Sequence, residues 1–182
     1  MKVAIWPLTP SLWPALEDLF GKGGASNGCW CMYWRIGAEY HERPREMNKR
    51  AFHRIVKQGP PPRLLAFDGE RPVGWCQLTP RRDLGWLNCK PPFQAVDDVP
   101  VWAISCFYIR RGYRRRGVMP ALIVEALKAA KRAKAPGGGR ISSRHCAAGQ
   151  YVEYFHRHGF YVQAPRIQDN RSPITRATNH AP

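Results

Sequence analysis

The stretch from Val101 to Ala133, VWAISCFYIRRGYRRRGVMPALIVEALKAAKRA, narrows the folding options more than any other part of the chain. Val101 to Ile109 is apolar without clean polar alternation, the pattern of a strand buried on both faces. Gly117 to Ala133 reads as an amphipathic helix: Leu122, Ala126 and Ala129–Ala130 share one face, and Lys128, Lys131, Arg132 and Lys134 gather at its end, where cations suit the helix dipole. Only the short segment from Arg110 to Arg116 separates strand from helix, and five of its residues are arginine. A buried strand passing this directly into a helix requires a sheet with helices packed on it.

The same corner has a chemistry. A tight loop opening a helix points unpaired backbone N–H groups at one spot, where the helix dipole is also positive, so it is an anion site by construction. Gly117 allows close approach to the backbone. Pro120 fits the first helical turn, where its missing N–H costs nothing. The flanking arginines add charge-assisted contacts to phosphate.

The remaining elements fall around this corner. Val3 to Trp6 is a short strand, and Ser11 is the expected N-cap of a helix with Leu12, Leu16 and Leu19–Phe20 on one face. GKGGASNG (21–28) is a loop, followed by the aromatic and sulfur-rich CWCMYWR (29–35). Arg45 to Gln58 is a basic helix with Met47, Ala51, Ile55 and Val56 at helical spacing, ended by Gly59 and three prolines. Leu64 to Phe67 and Val73 to Leu78 form a hairpin about Asp68-Gly69. Residues 80–100 read as an inserted loop. Beyond the long helix, the expectations are a strand at 141–145, a helix at 150–158 closed by Gly159, and strands at 160–162 and 173–177. The order β-α-α-β-β-β-α-β-α-β-β makes the chain an α/β (α+β) sheet protein, read as one domain over 1–182.

Charge bears on the partners. The net charge is +16, and the loop arginines supply only five of it. A surface this positive attracts polyanions, and the helix at 45–57 is the best site for such contact outside the loop. No apolar run is long enough to span a membrane and prolines interrupt the N-terminal apolar stretch, so the expectation is a cytoplasmic protein. In that compartment the six cysteines are free thiols. Cys29-Trp30-Cys31 lacks the spacing and the companion ligands of a zinc site, and no metal is expected.

YRRRGVMPALI resembles the acyl-CoA-binding motif of the GNAT acyltransferases, R/Q-x-x-G-x-G/A, with Arg114 and Gly117 at its first and central positions. Met119 stands where the family has Gly or Ala, which narrows the space beside a pyrophosphate or marks a modified donor site. GGASNGCWCMYWR and CFYIRRGYRRRGV also resemble a bacterial GNAT subgroup. The resemblance implies a central mixed, mostly antiparallel sheet flanked by helices, and acyl transfer from acetyl-CoA or another acyl-CoA to the amine of a small molecule by direct attack. It implies that the donor's pantetheine arm pairs with Phe107, Tyr108 and Ile109, and that the pyrophosphate sits on Arg114, Arg115, Arg116, Gly117, Val118 and Met119. An N–H at Tyr108 or Ile109 would stabilise the oxyanion. The family's leaving-group tyrosine aligns with Phe155 in YFHRHGF and is therefore absent, leaving Tyr154 and His156 as neighbouring catalytic candidates. Trp30, Tyr33 and Trp34 are candidate walls of the acceptor pocket, with core packing the competing role. Glu39, His41 and Asp83 are candidate acceptor-side polar groups, any one of which could be the base.

Three readings follow. The first is an acyl-CoA-dependent N-acyltransferase. The second is an amide-forming transferase of the same fold whose donor is an aminoacyl-tRNA, which connects the distributed charge, Met119 and the missing tyrosine. The third, a non-enzymatic nucleic-acid binder, lacks any DNA- or RNA-binding motif beside the arginine run, so no DNA partner is expected. A monomer and a homodimer are both compatible with the sequence.

Overall fold

The computed structural model describes residues 1–59, 63–95 and 101–133. Tyr154, His156 and every element expected beyond residue 133 lie outside the described residues. The described elements run β1 (Ala4–Pro7), α1 (Trp13–Phe20), α2 (Tyr33–Ile36), α3 (Glu39–Glu42), α4 (Arg45–Gln58), β2 (Leu64–Asp68), β3 (Arg71–Pro80), α5 (Gly85–Asn88), β4 (Trp102–Ile109) and α6 (Val118–Arg132). The strands form an antiparallel sheet in the order β1-β2-β3-β4. This is the expected α/β architecture, with helices on both faces of the sheet.

Side-chain alternation divides the sheet between two cores. Leu64, Ala66, Val73, Cys76, Leu78, Ile104 and Phe107 face α6, whose Val118, Leu122, Ile123 and Ala126 complete the first core. Leu65, Phe67 and Trp75 face the other way, against Trp13, Leu16 and Phe20 of α1 and Phe52 and Val56 of α4. Each of the larger side chains contributes roughly 1.5–3 kcal/mol by leaving water. Burying both faces explains why β2 and β3 read as nearly continuous apolar runs.

The long helices form where expected, with differences at the ends and faces. α4 spans Arg45–Gln58 as read from the sequence, and Gly59 closes it at φ 62. Its buried face, however, is Asn48, Phe52 and Val56, while Met47 is exposed. The Phe52 ring takes the core position, where it meets Trp13 and Trp75. Ser11 does not cap α1. A 3-10 turn over Pro10–Leu12 precedes the helix, Leu12 takes the N-cap position, and the Ser11 hydroxyl bonds Thr9 Oγ1 at 2.8 Å. Residues 80–95 are not a plain loop: 3-10 turns at Arg81–Asp83 and Pro91–Phe93 flank α5, and Leu84 and Leu87 are fully buried. The β2–β3 hairpin closes over Gly69 and Glu70, because Asp68 already pairs with Arg71.

Candidate active site

The β4–α6 corner is built from both cores. At Gly74 of β3, a Cβ would lie 2.7 Å from Val118 Cγ1, so glycine lets the start of α6 sit flush on the sheet. Its strand neighbour across the ladder is Ile109, the last residue of β4. The N-terminus of α6 is thereby fixed beside the end of β4. Between them the backbone turns left-handed twice, at Arg115 (φ 59) and Gly117 (φ 81). No atom lies within 4 Å of where a Gly117 Cβ would stand, so the φ value and not crowding calls for glycine there. Ala121 N–H donates the first intrahelical bond, to Gly117 O at 3.3 Å. The N–H groups of Val118 and Met119 precede it and have no acceptor within the helix. No side chain caps this end.

The five arginines of the loop divide into two kinds. Arg110 is a latch: its Nη2 reaches Asp18 Oδ2 at 2.6 Å and Asp18 O at 3.2 Å, and its Nε donates to Pro72 O at 3.0 Å. It ties α1 to the β3–β4 end of the sheet. Arg111, Arg114, Arg115 and Arg116 are exposed. Arg114 Nε donates to Ile109 O at 3.3 Å, and the Arg116 guanidinium lies 5.7 Å from the Tyr113 ring centre. Met119 is half-buried and packs against the first core.

β4 carries a second feature that the sequence obscured. Gln77 pairs with Cys106 but Leu78 pairs with Ile104, so Ser105 is an extra residue, a β-bulge. The bulge shifts the alternation. Trp102 and Ile104 before it, and Phe107 after it, all reach the first core. This, together with packing on both sides, is why the strand shows no clean period. Ser105 is fully buried and its hydroxyl has no hydrogen-bond partner among the described residues. Arg110 N–H bonds Val73 O at 2.9 Å. Antiparallel alternation then turns the backbone groups of Cys106 and Tyr108 toward β3, and those of Phe107 and Ile109 away from it. Of Tyr108 and Ile109, the two residues whose N–H was expected to serve the oxyanion, the ladder turns Tyr108 toward β3 and Ile109 away from it. Among the described strands, β4 is an edge, so the groups of Phe107 and Ile109 face outward from the sheet.

Opposite the bulge on the second-core side lies the CWC segment. Asn27, Trp30 and Cys31 hold positive φ angles of 47°, 45° and 60°, unusual for residues with side chains. Asn48 of α4, fully buried, clasps this loop by donating to Gly28 O at 3.1 Å and Tyr40 O at 2.8 Å. Trp75 Nε1 donates to Cys31 Sγ at 3.2 Å. Burial pushes the Cys29 thiol up to about 11 and raises Cys31 as well, so neither is a thiolate near neutral pH. Cys29, Cys31, Cys76, Cys89 and Cys106 are free.

The expected acceptor residues do not form one group. Trp30 is 3% exposed, stacked on Trp13 and edge-on to Phe20, and belongs to the second core. Tyr33 and Trp34 are half-buried, with ring centres 4.7 Å apart, and Trp34 meets Phe93. Glu39 is exposed and ion-paired with Arg43. His41 stacks on Tyr40. Asp83 is exposed, 3.8 Å from Arg82. Two residues the sequence reading passed over stand close by: Arg35 and Arg63. Arg63 is 2% exposed and lies over the Phe52 ring at 5.5 Å. Its Nε and Nη2, like those of Arg35, are shielded from solvent without a hydrogen-bond partner among the described residues. The signal was there: Arg63 shares strand parity with Leu65 and Phe67, a core position for a cation.

A helix N-terminus, the edge that β4 forms among the described strands, and exposed guanidiniums meet at one corner of an α/β sheet. The chain belongs to the acetyltransferase (GNAT) family, whose model matches residues 29–160. Among solved structures it is similar to the aminoglycoside antibiotic 6'-N-acetyltransferase of Acinetobacter haemolyticus, at 18% identity over 73% of this chain and 74% of that one, with a TM-score of 0.48. It is similar also to an aminoglycoside acetyltransferase from an uncultured soil metagenomic sample (20% identity, 74% and 75% covered, TM-score 0.44) and to a transcriptional regulator of Bacillus halodurans (18%, 74% and 78%, TM-score 0.45). No curated protein matches the sequence. No group of metal-ligating side chains occurs among the described residues, and no described helix is long and apolar enough to cross a membrane.

Proposed function

We propose that this acyltransferase moves an acyl group from acetyl-CoA or a related acyl-CoA to the amine of a small molecule. The observation that carries this reading is the convergence of the unpaired α6 N–H groups with the exposed Arg114, Arg115 and Arg116 beside the outward edge of β4. In this reading the pantetheine arm extends the sheet by pairing with Phe107 and Ile109. The pyrophosphate rests on the N–H groups of Val118 and Met119, and the arginines neutralise it. The Ile109 N–H then lies where negative charge develops on the thioester oxygen.

Transfer is direct. The neutral amine forms the new C–N bond, the C–S bond breaks, and the proton the amine loses passes to the departing thiolate by way of solvent; Cys29 and Cys31, whose thiols desolvation keeps protonated, take no part as nucleophiles. Part of the excess positive charge is also accounted for without a polyanion: Arg110 and Lys49 serve ion pairs with Asp18 and Glu17 of α1, and Arg35 and Arg63 each turn two nitrogens away from solvent. Calorimetric titration of ribonuclease-treated protein with acetyl-CoA tests the reading. A saturable 1:1 isotherm supports it. Binding that instead requires tRNA, and falls steeply with salt, transfers the corner to an aminoacyl-tRNA donor.

A further inference from the structure

Two arginines on the acceptor side, Arg35 and Arg63, each hold Nε and Nη2 out of water without a hydrogen-bond partner among the described residues. Arg63 immediately precedes β2, and the Leu64–Cys76 pair puts it opposite Gln77, which in turn pairs with Cys106 at the bulge. By alternation it faces the second-core side, as its contact with Phe52 confirms. Arg35 lies in the last turn of the short α2 and donates through Nη1 to Asp83 O at 3.0 Å. The Arg35 charge acts on Arg63, and the Asp83 charge acts on both. Burial first, and the Arg35 charge second, push Arg63 down to about 10, and burial lowers Arg35. Even so, both are cations near neutral pH. No carboxylate lies within 4 Å of either guanidinium among the described residues. The nearest acid acting on both is the exposed Asp83. Two positive charges and one neighbouring negative charge leave one negative charge to be supplied.

A guanidinium nitrogen held out of water without a partner is costly, and an anion arriving at the two arginines removes that cost. Four shielded N–H-bearing atoms, Nε and Nη2 on each residue, match the planar oxygens of a carboxylate. We infer that Arg35 and Arg63 form the binding site for the carboxylate of the acceptor, so that the enzyme acylates amino-carboxylate compounds. The inference rests on the acyl-CoA reading for the identity of the amine, not for the anion site itself. Arg63 stands two strands from β4, about 10 Å across the sheet. A carboxylate at Arg63 and an amine at the edge of β4 are therefore separated by a span of that order. Fully buried Gln77 lies between them, its Nε2 within 3.5 Å of Cys31 O.

The test uses the whole protein with glycine, β-alanine and 4-aminobutyrate, each against its carboxamide, which keeps the amine and removes the charge. At least one carboxylate is expected to bind in calorimetry without donor, tenfold or more tighter than its amide, and to be acetylated in preference. Arg63→Met is expected to raise the melting temperature in chloride buffer, to abolish the carboxylate preference, and to raise the acceptor KM at least tenfold with acetyl-CoA affinity unchanged. Arg35→Met, on a different element, should also lose the preference. Equal binding of acids and amides by the wild type, no binding of any acid, or a preference that survives both substitutions overturns the inference. Loss of acetyl-CoA binding in the same wild-type sample would strike the donor reading instead and leave the anion site standing.

Discussion

The donor corner and the Arg35–Arg63 pair are both built from arginine, and they treat its charge in opposite ways. In the β4–α6 loop, Arg111, Arg114, Arg115 and Arg116 stay in solvent, where a guanidinium costs little and is screened by salt. The backbone, through Gly117 and the first turn of α6, supplies the oriented dipoles. On the other side of the sheet two nitrogens of each guanidinium are shielded from solvent, and Arg35 leans through Nη1 on Asp83 O at the end of a 3-10 turn. An exposed cluster can be enlarged freely, so its five arginines overstate its specificity. Shielded nitrogens gain from a matching anion, so on the carboxylate reading two residues say more about chemistry than five.

Gly117→Val should have the largest effect. A β-branched side chain at φ 81 is strained, and it would stand in front of the unpaired N–H groups. Acetyl-CoA affinity should fall about 100-fold or more by titration calorimetry, on the scale of losing an oriented oxyanion donor. Unchanged affinity would break the assignment of the corner. The triple change Arg114→Gln, Arg115→Gln, Arg116→Gln should weaken acetyl-CoA by roughly tenfold at low salt and shift stability by less than about 0.5 kcal/mol, as exposed substitutions do. Arg110→Met should do the reverse, costing about 1–3 kcal/mol in a urea melt through the lost charged hydrogen bonds to Asp18 and Pro72 while altering donor affinity little. If Arg110→Met and the triple change behaved alike, the division of the loop into latch and binding residues would be wrong. Raising salt from 50 to 300 mM should weaken donor binding several-fold and carboxylate binding much less, because burial protects the inner pair from screening.

The smallest effect belongs to the surface pair Glu17–Lys49, 2.8 Å apart. The hydrogen bond from Lys49 holds the Glu17 carboxyl below its ordinary value of 4.5. A carboxylate depressed by folding stabilises fully above its unfolded value and loses that contribution as pH falls through the folded value. Glu17→Gln should therefore cost up to about 0.5 kcal/mol near neutral pH and nothing at pH 2, given the pair's exposure.

Much of the fold was legible in the sequence because it depends on period and punctuation. α4 ends at a glycine, the hairpin turns at Gly69, and the apolar face of α6 repeats at helical spacing. Features that failed to show depend on contacts between distant segments. Phe52 displaces Met47 from the core because Trp13 and Trp75 offer it a ring-lined site. The Ser105 bulge is a difference of register between two strands, so β4 alone could not display it. Trp30 looked like a pocket wall and is a core residue, since a local aromatic cluster does not say which side faces water.

The sequence by itself determined the backbone of the donor corner, because a left-handed glycine, a proline-tolerant first turn and an apolar strand are local requirements met by adjacent residues. It also determined that the chain is strongly basic. Which charges are available to a ligand was decided only by tertiary structure. Arg110 is taken up by Asp18, far away in sequence, while Arg35 and Arg63 are brought together from two separate elements and stripped of water. Desolvation and pairing are properties of neighbours in space, and a residue's identity does not carry them.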